Sequence, residues 1–237
     1  MERELRVAAW LRDHRVPAVR PLDGSGVLDL VTCRATVWHQ VPTTGNGSSD
    51  DLGAALKLLH RVPSAPRELG LARLDPLEGV EDYLAGAWRI DQSDLNFMAT
   101  QACELREAFS SLAPVLPTGV VHGDAHRKNV ARTDQGPVLM DLERVCVGPR
   151  EWDLVVAAVY RRLGWYSSGQ YDRFVGAYGF DVREWEGFEV LSRMRLVRMA
   201  AWLCARTDRE PRLLPEARLR IASLRRPEGF LGWTPGV

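Results

Sequence analysis

The chain has 237 residues, 46% hydrophobic and 26% charged, enough for a full core in one large domain or two small ones. Its 31 basic and 31 acidic side chains cancel, so no global field recruits nucleic acid or an anionic membrane surface. No apolar run approaches the ~18 residues of a membrane span, and the start MERELRVAAWLRDH lacks a signal-peptide core, so a cytoplasmic location is expected. Cys33, Cys103, Cys146 and Cys204 form no C-x-x-C pair and are expected as free thiols packed like small hydrophobes.

In chain order, Leu5, Ala8, Ala9 and Leu11 recur at helical spacing over residues 2–15, and Val16-Pro17 closes that helix. Residues 27–41 read as two adjacent strands interrupted by Arg34, the second running into Val41-Pro42. The stretch TTGNGSS, residues 43–49, reads as a flexible polar linker without the strand and helix that flank a phosphate-binding loop. Asp50 or Asp51 can cap a helix running to about His60, with Leu52, Ala55, Leu56 and Leu59 on one face; His60 is expected to pack or cap. Further helices fit residues 78–88, 93–113, 151–163, 168–178, 184–206 and 214–224, and Val120-Val121 and residues 138–140 suit short strands. Trp10, Trp88, Trp165, Trp185 and Trp202 sit within helical patterns and are expected in the core.

Chemistry concentrates in VVHGDAHRKNVARTDQGPVLMDLERVCVGPREWDL, residues 120–154. An apolar dipeptide leads into His122-Gly123-Asp124, Asn129 follows five residues after Asp124, and a second apolar run delivers Asp141. That spacing is the layout of a kinase catalytic loop and its metal-binding segment. Phosphoryl transfer requires an acceptor hydroxyl held in line and phosphate charge neutralised by metal. Asp124 is the candidate to accept or orient the hydroxyl proton. Asn129 and Asp141 supply the hard oxygens that Mg2+ prefers. Gly123 permits the turn of the loop, and His122 is expected to organise it by hydrogen bonding. Glu143 reads equally as a neighbour of the metal ligands or a surface carboxylate.

HGDAHRKN resembles the H-G-D-x-H-x-x-N catalytic loop of the aminoglycoside phosphotransferase and choline kinase-like family; MDLE and GPREWDL resemble the segments that follow it there. The resemblance implies an α+β, protein-kinase-like fold with a truncated N-lobe (a helix and about two strands) and a mainly α-helical C-lobe. It implies ATP and Mg2+ as cofactors, a small-molecule hydroxyl as acceptor, Asp124 as base, and Asn129 and Asp141 as metal ligands. Asp153 would brace the catalytic loop from below, and His126 would reach the γ-phosphate. Upstream, RELRVAAWLRDHRVPAVRPL resembles the family's N-lobe helix, making Glu4 (or Glu2) the carboxylate that pairs with a nucleotide-binding Lys. TVWHQVP resembles the hinge, where backbone groups near Trp38, His39 and Gln40 meet adenine. Residues 1–42 are then a reduced N-lobe and hinge, and residues 43–237 the helical lobe.

The family's phosphate-covering hairpin and Lys-bearing strand would precede a helix that here begins at about residue 2. Only Lys57 and Lys128 are lysines, and neither position can pair with Glu4. Two readings follow: a Mg·ATP-dependent small-molecule kinase, in this chain or a longer parent, or a non-catalytic pseudokinase that binds a small molecule or protein. An abbreviated sheet with an exposed edge open to association is expected in either case. From residue 150 onward 15 arginines face 11 carboxylates, which weighs against a polycationic acceptor.

Overall fold

The computed structural model describes residues 1–226 and 232–236, which form two compact units. The first comprises Met1–Leu74, Pro114–Ala157 and Ser168–Asp181; the second comprises Asp75–Ala113, Ala158–Ser167 and Val182–Val237.

In the first unit, α1 (Glu2–Asp13) buries Val7, Ala8 and Leu11, the face set by the 3.6-residue period. The strands after it are shorter than the sequence suggested. β1 (Leu28–Asp29) and β2 (Arg34–Ala35) form a two-residue antiparallel hairpin; beyond it, Trp38 bridges back to Pro21 rather than extending β2. The abbreviated two-strand arrangement is present, and Leu28, Leu30 and Val31 on it are exposed.

Residues 43–49 are not a linker. Gly45–Asn46 form β3, paired antiparallel with Ala131 and Arg132 of β5 (Val130–Thr133). The Gly47 N–H donates to Val130 O at 2.7 Å, and a Cβ on Gly47 would lie 2.8 Å from Val130 Cβ. Glycine therefore serves close backbone approach here rather than flexibility. The cap of α2 (Ser49–Leu59) also lies earlier than the expected Asp50 or Asp51. Ser48 is the N-cap, and Asp51 completes a capping box by accepting the Ser48 N–H at 2.9 Å. Arg132 adds two contacts to the same Asp51 carboxylate, at 2.7 and 2.8 Å, tying the helix start to β5.

β5 continues into β6 (Gly136–Leu139), giving the antiparallel order β3-β5-β6. Residues 17–19 lie parallel to β6: Pro17 O accepts from the Leu139 N–H, and the Val19 N–H donates to Leu139 O. β4 (Gly119–Val121) pairs with β7 (Cys146–Gly148), so the two ends of the stretch 122–145 are anchored to one another. Below them α5 (Glu151–Arg162) begins, and α6 (Ser168–Tyr178) packs on α2 through Tyr171 and Phe174.

The second unit is helical. α3 (Val80–Ala85), α4 (Gln92–Ser110) and α8 (Leu214–Leu224) pack against α7 (Phe188–Arg206). α7 buries side chains around most of its circumference, among them Leu191, Met194, Val197, Ala201 and Cys204. Two tryptophans expected in the core are at the surface: Trp88 is 84% exposed after the end of α3, and Trp202 lies 41% exposed beneath the Arg206 guanidinium. The four cysteines are free, but Cys33 and Cys103 are exposed rather than packed. Among the described residues no helix is long and apolar enough to cross a membrane.

Candidate active site

The site is built on the turn between β4 and β5. Asp153, in the first turn of α5 and fully buried, accepts the His122 N–H with Oδ2 at 2.7 Å and the Gly123 N–H with Oδ1 at 2.9 Å. The neighbouring Trp152 Nε1–H donates to Gly123 O at 3.0 Å. The two bonds to the Asp153 carboxylate are charge-assisted, among the stronger ones available to a protein, and with the Trp152 bond they fix three of the peptide groups entering the loop. Gly123 has φ 83°, and a Cβ there would collide with Arg144 O. No other residue fits that position without moving the backbone at Arg144.

The His122 ring, 0% exposed, lies with Nε2 2.8 Å from Met140 O. A carbonyl only accepts, so Nε2 carries the proton and the catalytic loop is clamped to the strand end that delivers Asp141. The Met140 N–H donates to Asn129 O at 2.9 Å, extending the Val130–Leu139 pairing by one residue and setting Asn129 beside the residue before Asp141. Asn129 is buried and spends its Nδ2–H on Asp124 O at 3.0 Å, which leaves its Oδ1 available as an oxygen donor. Asp141 is exposed and has φ 55°, ψ 67°. A left-handed non-glycine residue costs roughly 1–2 kcal/mol, an expense that clusters at functional positions. Among the described residues its carboxylate engages no hydrogen bond or ion pair.

Asp124 and His126 are partly exposed, with His126 Nε2 3.6 Å from Asp124 Oδ2, an electrostatic neighbour rather than a well-formed hydrogen bond. Asp124, His126, Asn129 and Asp141 are thus carried by two adjoining, mutually bonded segments. The donor set suits Mg2+. Among the described residues there is no cluster of three or more His, Cys, Asp or Glu, hence no all-protein cage. One amide and one carboxylate oxygen are what Mg2+ takes when phosphates and water complete its shell.

The other sequence candidates lie on α1 and the strand after β2. The His39 N–H donates to Arg20 O and the Leu22 N–H to Val37 O, so the backbone groups of Trp38 between them face the opposite edge of that strand. The side chains of His39 and Gln40 are exposed. Glu4 pairs with the Met1 α-ammonium at 3.0 Å, while Glu2 meets Arg34 at 3.3 Å. Arg3 donates to the Glu143 carbonyl, seating α1 against the segment after Asp141.

One residue of this arrangement exceeds its expected role. His60, at the end of α2, is 3% exposed and bonds Asp153 Oδ2 through Nε2 at 3.0 Å and the Tyr178 phenol through Nδ1 at 2.8 Å. The sequence signal was a lone histidine closing an amphipathic helix; its partners lie 93 and 118 residues away, beyond any local pattern.

No curated protein matches the sequence. Among solved structures, the chain is similar to the amicoumacin kinase hAmiN in complex with AMP-PNP, Ca2+ and Ami (TM-score 0.74, 13% identity, 98% of this chain and 79% of that one). It is similar to a microcompartment-associated aminopropanol kinase (TM-score 0.70, 18% identity, 98% and 82%). A third match is a choline/ethanolamine kinase family protein from Mesorhizobium loti (TM-score 0.63, 18% identity, 99% and 78%). At these identities the likeness shows a shared, protein-kinase-like fold. The sequence pattern of the phosphotransferase enzyme family (APH) matches residues 1–191, which span α1, the paired loops around Asp124 and Asp141, and the helices beneath them; the chain belongs to that family.

Proposed function

We propose that this chain transfers the γ-phosphoryl group of Mg·ATP to a hydroxyl of a small molecule. The observation that carries the reading is the pair of mutually bonded segments that carry Asp124, Asn129 and Asp141 on backbone held by buried bonds. Asp124 accepts or orients the proton of the acceptor hydroxyl. Asn129 Oδ1 and the Asp141 carboxylate would hold the metal, which when bound supplies charge neutralisation to the phosphates. His126, 3.6 Å from the Asp124 carboxylate, would meet the transferred group. Backbone groups near Trp38–Gln40, those of Trp38 first, would meet adenine, with residues 1–42 on the nucleotide side and residues 43–237 as the acceptor-binding helical lobe.

Small-molecule acceptors fit the family membership and the neighbours, which include kinases named for amicoumacin and aminopropanol. The deciding experiment compares melting temperature with and without Mg·ATP in the unmodified chain and in Asp141→Asn, which tolerates the left-handed backbone. Stabilisation that depends on Mg2+ and is lost in the variant is expected. An equal shift in both, or none in either, would remove Asp141 from metal binding and with it this reading.

A further inference from the structure

Beneath the catalytic loop, hydrogen bonds run from α6 through α2 to α5. Tyr178 ends α6 and His60 ends α2; their rings meet edge-on, centroids 5.5 Å apart at 80°. His60 Nδ1 lies 2.8 Å from the phenol oxygen, and Nε2 lies 3.0 Å from Asp153 Oδ2. That same Oδ2 accepts the His122 N–H, and Oδ1 accepts the Gly123 N–H.

The partners of His60 constrain its protons. A carboxylate oxygen accepts, so the His60 Nε2–H points at Asp153 Oδ2, and a phenol that keeps its proton can donate to a bare Nδ1. The phenol is the donor that completes it. Burial raises the Tyr178 phenol well above its ordinary range; Arg150 opposes this, and Asp153 and Glu151 add to it, so its proton is retained. Asp153 is fully buried, and a buried carboxylate is tolerated only while its lone pairs are matched by donors.

We propose that Tyr178 and His60 are positioning residues for the catalytic loop: the phenol selects the Nε2–H tautomer of His60, that N–H orients the Asp153 carboxylate, and Asp153 sets the N–H groups of the two residues that precede Asp124, His122 and Gly123. The proposal rests, for its effect on turnover, on the kinase reading above. A displacement of about 1 Å at the reacting groups can cost ~10²-fold in rate, so a device that locks this backbone acts on kcat rather than on nucleotide binding.

The test uses the full chain and three variants. Long-range 1H–15N spectra of the unmodified protein should show His60 as one neutral species, protonated on Nε2 and bare on Nδ1. Tyr178→Phe should introduce the other tautomer, speed hydrogen exchange of the His122 and Gly123 amides, and lower kcat for Mg·ATP turnover about 3–10-fold with KM for ATP unchanged, the worth of one ordinary hydrogen bond. His60→Leu, which strips a donor from a buried charge, should lower kcat about 10–100-fold. His60→Gln, which keeps an N–H donor, should recover much of that loss. If His60→Leu fails to fold, Tyr178→Phe, which removes a single oxygen, decides the matter. A ring protonated on Nδ1 in the unmodified chain would overturn the proposal, as would Tyr178→Phe leaving both amide exchange and the tautomer unchanged. Absence of Mg·ATP turnover in the unmodified chain would count instead against the kinase reading, and the ring and amide measurements would still decide the positioning.

Discussion

Asp124→Asn keeps the shape of the residue and its backbone while removing the proton acceptor. Turnover should fall at least ~10²-fold with little change in nucleotide affinity, because base and positioning roles are expressed mainly in the transition state. Single-turnover kinetics beside direct binding checks it, and near-normal turnover would remove Asp124 as base. Thiol chemistry offers an independent check on the packing. Cys33 and Cys103 are exposed, Cys146 and Cys204 are buried, and burial pushes the Cys204 thiol up to about 12. A thiol reagent at pH 8 should therefore titrate two groups in the native protein and four in denaturant. Asp124, Asn129 and Asp141 could be read as candidates because phosphoryl transfer fixes residue types and spacing within a short stretch. His60 could not, since its function comes from partners that only the folded chain brings to it.

At the level of elements, the helices could be read and the short strands could not. An amphipathic helix repeats its signal over several turns, so α2, α4, α6 and α8 lie close to their expected ranges. β1, β2 and β3 are two residues long, too short for alternation to register, and β3 is made of Gly and Asn whose only contribution is backbone pairing with a strand more than 80 residues later. The capping box that follows it has a measurable consequence. Burial works against ionisation of Asp51, but the Ser48 N–H, the Arg132 guanidinium and the Ser48 hydroxyl together hold its carboxyl below the ordinary carboxylate value. A depressed folded-state pKa contributes stability that is fully present above the unfolded value of about 3.9 and is lost as pH falls through the folded value. Asp51→Asn should accordingly be less stable than the unmodified chain at pH 7 and lose less of its stability between pH 5 and pH 3. Denaturant unfolding across that range tests it; parallel curves for the two proteins would mean the cluster contributes nothing.

For the molecule as a whole, the family fold was visible because one long motif, residues 120–154, is continuous in sequence, and it lies inside the match over residues 1–191. Which tryptophans face solvent was invisible, because a helical period says which positions share a face but not what covers it. The left-handed backbone at Asp141 carries the last consequence. Glycine at that position would relieve roughly 1–2 kcal/mol of conformational strain, against a loss of about 0.4–1 kcal/mol from a freer unfolded chain. Asp141→Gly should therefore melt up to a few degrees higher than the unmodified protein, and Asp141→Ala lower, while neither retains a carboxylate for metal. Calorimetry of the three ligand-free proteins would show the order, and Asp141→Gly melting several degrees below the unmodified chain would refute it. Selection for yield or heat resistance alone would then drift toward an inert protein: the residue proposed to make this chain an enzyme is also one that holds it below its own stability ceiling.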